Sequence, residues 1–207
     1  MTRAVILDRD GVINDHRRFV NTKDDFFLFP ETPEAIRLLN QSGFLVLVAT
    51  NQGGVGLGYM TEENLAQIHE YMLSRLHEEG GRIDDIAVCP HAPSAGCDCR
   101  KPKPGLLLEL WHRHHFDLEH SYMVGDRETD VQAGKAAGTK TVLIGPETSA
   151  ASSSESTRAP RHGTKFGPGK GPGKGPGKKT SAADFVATNI LDAARWIVQD
   201  AVVPQQS

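Results

Sequence analysis

Asp8 and Asp10 stand two residues apart in LDRDGVIN, directly after the apolar run AVIL at 4–7. In extended backbone, residues i and i+2 point to the same side. The pair therefore presents two carboxylates together at the end of a strand, where Gly11 lets the chain turn away. Paired carboxylates in that position suit a hard cation, and they suit a nucleophile working beside a general acid or base. The same D-x-D-G pattern also makes an ordinary turn, so its weight depends on what else reaches the same edge.

Three further stretches end in reactive side chains. FLVLVA at 44–49 runs into TNQGG, which offers the Thr50 hydroxyl, the Asn51 and Gln52 amides and flexible backbone N–H groups, all donors for phosphoryl oxygens. RKPKPG places Lys101 between Arg100 and Pro102, and the restricted backbone around proline would hold a cation at a fixed place. Lys103 reads there as solvated surface charge. SYMV at 121–124 runs into GDRETD, giving Asp126 as the better metal ligand. Asp130 follows one helical turn later, as a partner for Lys101 or a charge at a helix N-terminus.

All three cysteines fall in one short stretch, where Cys89, His91, Cys97 and Cys99 form C-x-H-x5-C-x-C. An odd, clustered set is more often metal-binding or catalytic than a disulfide frame. Four soft or borderline ligands match a closed structural zinc site, whereas a catalytic zinc would keep a position open. Three ordinary buried thiols beside a chance histidine are the alternative. Zinc here would tie down a loop immediately before Arg100 and Lys101.

The elements that must position these residues alternate along the chain. Short apolar or β-branched runs at 4–7, 44–49, 86–88, 121–124, 141–144 and 184–187 read as strands. Between them, TPEAIRLLNQSG predicts a helix with Thr32 as N-cap and Pro33 at its first position. In 61–79, Leu65, Ile68, Met72 and Leu76 fall on one face behind a Thr61 cap and ahead of Gly80 and Gly81. Further helices are predicted over 104–115, 128–137 and 188–198. This alternation predicts an α/β fold, a Rossmann-like parallel sheet between two helical layers. In such sheets ligands bind beyond the carboxyl ends of the strands.

Residues 148–182 interrupt the pattern with three tandem GPGK units and almost no apolar side chains, so a disordered insertion is expected. The expected organisation is one domain over 1–147 and 183–200, that insertion between its parts, and a tail at 201–207. Thr157 to Ala183 holds seven Lys/Arg and no acid in a chain of formal charge −3, which leaves −10 for the rest. Such a segment can contact nucleic acid electrostatically, yet Phe166 is its one aromatic and no stacking series exists. A zinc- and basic-loop-mediated nucleic-acid binder is therefore the alternative of another class, and no nucleic-acid partner is expected. The charged start MTRAVILDRD lacks the apolar core of a secretory signal and no run is long enough to span a membrane. A monomeric cytoplasmic protein is expected.

Taken in order, D-x-D-G, T-N, K-P and G-D-x-x-x-D resemble the four motifs of the haloacid dehalogenase superfamily of phosphatases, over residues 4 to about 145. The resemblance implies Asp8 as the nucleophile that forms an aspartyl-phosphate. Asp10 is implied as acid for the leaving alkoxide and then base for water. It further implies Thr50 and Lys101 on the transferring phosphoryl, and magnesium on Asp8, the Asp10 carbonyl and Asp126. Asn51, Gln52 and Arg100 are the implied substrate contacts. The zinc loop narrows the resemblance to the subgroup holding the heptose 1,7-bisphosphate 7-phosphatases and the histidinol-phosphate phosphatases. LDRDGVIND, GYMTEE and the glycine of RKPKPG look more like the former, which is the expected activity; Leu57, GDRETD and the short APSAG spacer look like the latter, which is the alternative. The short intervals between motifs leave no space for a large cap, so a small molecule with a reachable terminal phosphate is the expected substrate.

Overall fold

A computed structural model describes residues 2–16, 19–145 and 182–202. Most of the expected insertion and of the C-terminal tail lies outside the described residues. Six strands form one sheet, β1 (Arg3–Leu7), β2 (Phe44–Asn51), β3 (Asp85–Cys89), β4 (Tyr122–Gly125), β5 (Lys140–Ile144) and β6 (Phe185–Ala187). Every pairing is parallel and the order is β3-β2-β1-β4-β5-β6. The chain builds outward from β1 to β3, then crosses back to place β4 on the other side of β1. That reversal opens a crevice at the carboxyl ends of β1 and β4, and Asp8 is the first residue beyond β1.

Strand sequences are continuously apolar because both faces are covered. Val5 and Leu7 join Val46 and Val48 in one core, against α1 (Thr32–Gln41), α3 (Glu62–Glu78) and α6 (Ile190–Asp200). Ala4 and Ile6 join Leu47 and Ala49 in the other, against α4 (Gly105–His114) and α5 (Glu128–Ala137). The sheet with helices on both faces is the three-layer α/β arrangement expected. A four-residue turn of helix, α2 (Gly53–Gly56), follows β2 and was not foreseen.

The helix boundaries carry two lessons. Thr61 caps α3 as predicted, accepting from Asn64 N at 3.0 Å. Thr32, expected as a cap, is instead the first residue of α1, and its buried hydroxyl donates to Ile13 O at 2.9 Å. It thereby ties the loop that follows Asp10 to the helix layer.

After the undescribed segment the chain returns firmly to the sheet. Thr141 N and Oγ1 donate to Asp184 at 2.8 and 2.7 Å. Phe185 stacks on Trp196 at 4.7 Å, and Tyr122 and Lys140 both donate to Asp200 at 2.6 Å. Burial opposes ionisation of Asp184 and Asp200, but these donors outweigh it and hold both carboxyls below the ordinary value of 3.8. Groups with depressed folded values stabilise the fold above the unfolded value and lose that effect as pH falls through the folded one.

Two outcomes are expected. Ile197→Ala, at a fully buried position of α6, should cost about 2–5 kcal/mol in urea unfolding; an unchanged midpoint would show α6 to be dispensable. In acid, stability should fall below about pH 4, and Asp184→Asn should flatten that limb of the stability curve.

Candidate active site

The carboxyl ends of β1, β2 and β4 converge on Lys101. Asp8 is fixed by donating its own N–H to Val124 O at 2.9 Å, which carries the β1–β4 ladder one residue further. Lys101 Nζ then lies 3.0 Å from Asp8 Oδ1, 2.7 Å from Asp130 Oδ1 and 2.8 Å from Ala49 O. Lys101 is 3% exposed and Asp130 1%, so three oxygens take up the three ammonium hydrogens away from water. Burial opposes the Lys101 charge, but the two carboxylates outweigh it and raise its pKa. Asp130 also accepts from Arg127 N at 3.1 Å, so it serves both roles the sequence left open.

Asp126 also stands beside Asp8. Gly11 adopts φ +89, and a Cβ there would lie 2.3 Å from Asp126 Oδ2. Glycine is thus required both by the left-handed turn and by the close approach of the two loops. Oxygens of Asp8, Asp126 and Asp130 all lie within 4.8 Å of one another. Asp130 is occupied by Lys101, whereas Asp126 Oδ1 is buried with no hydrogen-bond partner among the described residues. Burial first, then repulsion between the two, pushes the Asp126 carboxyl up, and burial does the same for Asp8. Arg127 Nε and His16 Nε2 stand 3.8 and 3.6 Å from the two Asp126 oxygens, beyond hydrogen-bond reach, and two desolvated carboxylates with an oxygen free of hydrogen bonds fit a hard divalent cation such as magnesium.

Asp10 sits in the opposite environment. Arg9 Nε and Nη2 donate to its carboxylate at 3.0 and 2.8 Å, Asn14 Nδ2 at 3.0 Å and Gln52 Nε2 at 3.0 Å. Burial opposes its charge, but the Arg9 cation and these donors prevail and hold the carboxyl below the ordinary range. Arg9 is 0% exposed. Sequence reasoning passed over Arg9 and Asn14, because a charged residue in a loop reads as solvated. The available signal was position, since an arginine between two aspartates at a strand end has carboxylates on both sides.

Thr50 is buried at the end of β2, with its Oγ1 accepting from Gln52 Nε2 at 2.8 Å. Asn51 and Gln52, expected as substrate contacts, have other partners. Asn51 donates to Lys101 O and accepts from Lys101 N, both at 3.1 Å, in a two-way clamp on the backbone of the loop after β3. Gln52 links Thr50 to Asp10. Arg100 lies against the same turn, its buried Nη1 without a hydrogen-bond partner among the described residues and 3.1 Å from where a Gly53 Cβ would be.

That loop holds the four soft ligands. Cys89 Sγ lies 3.6 Å from Cys97 Sγ and 3.7 Å from His91 Nδ1, and Cys99 Sγ lies 3.5 Å from Cys97 Sγ and 3.2 Å from His91 Nδ1. Zinc bonded to sulfur at about 2.3 Å and nitrogen at about 2.0 Å in a tetrahedron needs edges of roughly 3.5–3.8 Å; three of the four separations fall in that range, and the His91–Cys99 one is shorter. Burial and the other two sulfurs push the Cys99 thiol up to about 12, a crowding that a cation would relieve. Other ties fasten the loop to its surroundings. Gly56 N donates to Pro90 O at 2.8 Å, where a Cβ on Gly56 would meet Ala92 N at 2.3 Å. Lys103, read as solvated charge, donates to Cys97 O at 2.9 Å and Asp98 Oδ1 at 2.8 Å.

A parallel sheet whose reversal point gathers a D-x-D-G turn, a strand-end threonine, a buried lysine and a second acidic loop defines the haloacid dehalogenase class of phosphatases. Residues 98–165 match the HAD-hyrolase-like family model. The chain is 40% identical over 143 residues to a D-glycero-beta-D-manno-heptose-1,7-bisphosphate 7-phosphatase of Pseudomonas putida, spanning 69% of this chain and 82% of that protein. It is 42% identical over 146 residues to the enzyme of the same name in Pseudomonas aeruginosa, spanning 70% and 82%. A crystal structure of D,D-heptose 1,7-bisphosphate phosphatase from B. bronchiseptica, complexed with magnesium and phosphate, superposes with a TM-score of 0.74 at 29% identity, over 96% of this chain and 99% of that one. The chain belongs to the D-glycero-beta-D-manno-heptose-1,7-bisphosphate 7-phosphatase family.

Purified protein is expected to carry one equivalent of zinc by elemental analysis, and Cys97→Ala is expected to lose it. Because Lys101 follows the loop directly, that variant should also lose activity. Wild-type turnover with zinc still bound at one equivalent would remove Cys97 from the ligand set.

Proposed function

We propose that this chain hydrolyses the C7 phosphate of D-glycero-β-D-manno-heptose 1,7-bisphosphate, leaving the 1-phosphate. The observation that carries the reading is the division of labour around β1. Asp8 lies against Lys101 and beside the Asp126 carboxylate, while Asp10, two residues on, is held by a separate set of donors. Two carboxylates in environments that push their ionisation apart are the mark of distinct catalytic roles.

In this reading an Asp8 oxygen attacks phosphorus and forms an aspartyl-phosphate as the sugar alkoxide leaves. Asp10 protonates that alkoxide and then takes a proton from the water that cleaves the acyl-phosphate. The resting donors around Asp10 favour its carboxylate, the form that accepts a proton. An arriving phosphate dianion raises its pKa by like-charge repulsion and so favours the form that donates one. Thr50 Oγ and the Lys101 ammonium hold phosphoryl oxygens, in a reaction where positioning and charge neutralisation supply most of the catalysis. Magnesium held by Asp8, the Asp10 carbonyl and Asp126 would offset the charge of phosphate and nucleophile. Arg100 contacts the remainder of the substrate, and Asn51 and Gln52 act by placing Lys101 and Asp10. Among the described residues, the crossings that follow β1, β2 and β3 hold no more than a short turn of helix before the next long helix, which suits a small substrate with an exposed terminal phosphate.

The same reading takes 1–147 and 183–200 as one domain with 148–182 inserted, in a monomeric cytoplasmic enzyme with no nucleic-acid partner. Among the described residues no helix is long and apolar enough to cross a membrane.

Phosphate release with magnesium, measured in parallel on the heptose bisphosphate and on histidinol phosphate, tests the substrate. A kcat/KM ratio above about 100-fold for the heptose, equal to about 2.7 kcal/mol of discrimination, is expected; the reverse ratio overturns the assignment. Asp8→Asn should abolish turnover on either ester. Deleting 150–180 should leave activity within a few fold, and a collapse would make the insertion part of the site.

A further inference from the structure

Arg9 uses Nε and Nη2 on Asp10, which leaves Nη1 free of that carboxylate. Nη1 lies 3.4 Å from His69 Nε2. Arginine has only donors, so Nε2 must carry the lone pair and the His69 proton sits on Nδ1. Burial and the adjacent Arg9 cation push the His69 imidazole down to about 4, which keeps that lone pair available at neutral pH. His69 belongs to α3, on its half-buried flank beside the apolar face formed by Leu65, Ile68, Met72 and Leu76.

This contact changes what the Arg9–Asp10 pair can do. Two adjacent residues bonded to each other form a local unit that can turn together without breaking their own hydrogen bonds. Asn14 and Gln52 grip Asp10, but of the hydrogen bonds described for the guanidinium only the one to His69 joins it to another part of the fold, 60 residues away. A group that must present a lone pair or a proton to a substrate atom loses rate steeply when its direction wanders.

We propose that His69 is a positioning residue for Asp10, acting through Arg9: its Nε2 accepts the Nη1 hydrogen, fixes the guanidinium plane, and so fixes the direction in which the Asp10 carboxylate faces the ester. The proposal rests on the phosphatase reading, with Asp10 as the acid that serves the leaving group. A role in packing alone would make side-chain volume decide the effect of substitution. Positioning makes the acceptor decide it.

The test compares His69→Leu, which removes the acceptor, with His69→Gln, whose amide oxygen restores one near Nε2. Both are assayed with magnesium on the heptose bisphosphate, an alkyl ester that needs a proton on its leaving group, and on p-nitrophenyl phosphate, whose leaving group needs little help. For His69→Leu, kcat on the alkyl ester should fall about 10- to 100-fold, part of the 10²–10⁴ that general acid–base catalysis supplies. KM should stay within a few fold, and kcat on p-nitrophenyl phosphate should fall much less. His69→Gln should restore kcat on the alkyl ester to within a few fold of wild type. Equal losses on both esters, no loss in His69→Leu, or no rescue by His69→Gln would each overturn the proposal. If the wild-type enzyme cleaves neither ester, the function assignment is what fails. Crystal structures of the same variants then decide the brace: an Asp10 carboxylate turned only in His69→Leu supports it, and one unmoved in His69→Leu rejects it.

Discussion

A buried ammonium group must find acceptors for its hydrogens, and the site is organised around the three that Lys101 finds. Taking a charge of this size out of water costs several kcal/mol even after relaxation. Asp8 at the end of β1, Ala49 O in β2 and Asp130 in the first turn of α5 share that cost. Each acceptor comes from a different element, so the cation can be satisfied only when β1, β2 and α5 have reached their native relation. Removing one partner from such a pair typically costs about 3–5 kcal/mol, which is a large share of a domain's stability.

The same requirement explains the effort spent on irregular backbone before Lys101. A loop has no ladder of its own, and its position must come from ties to its neighbours. Asn51 clamps the Lys101 peptide on both sides, Gly56 donates to Pro90, and Lys103 draws in the carbonyl of Cys97. The Cys89, His91, Cys97 and Cys99 cluster gathers the rest of the loop around one metal-sized centre. A metal held there would fix the loop that leads directly into Lys101.

Asp8 and Asp10 show how two identical side chains come to differ. Asp8 shares a desolvated pocket with Asp126, and the pair calls for a cation to settle its charge. Asp10 is already neutralised by Arg9 and saturated by neutral donors. In the proposed function the first binds a metal and attacks, and the second exchanges a proton. The difference arises from neighbours, since the two residues are separated only by Arg9.

The sequence by itself determined the class of fold and the ends of the strands where chemistry would occur. Continuously apolar runs suit strands buried on both faces, as in a parallel sheet covered by helices on each side, and the D-x-D-G, T-N, K-P and G-D-x-x-x-D groups mark where those runs stop. The cluster of Cys89, His91, Cys97 and Cys99 was legible for a different reason, because C-x-H-x5-C-x-C holds its side chains close in the chain. Tertiary structure decided which side chains face which. Asn51 and Gln52 were legible as donors at the site, but their partners, the Lys101 backbone and the Asp10 carboxylate, lie 50 and 42 residues away. Thr32 was legible as a cap, yet its hydroxyl went to Ile13 once the loop after Asp10 packed beneath α1. Arg9 and His69 belong to the same group, since a charge in a loop and a histidine on a helix flank become a pair only when α3 is laid beside β1. Local patterns fix local structure because hydrogen-bonding and burial repeat with the chain; contacts between distant residues depend on how the layers stack, and that is settled only in the folded molecule.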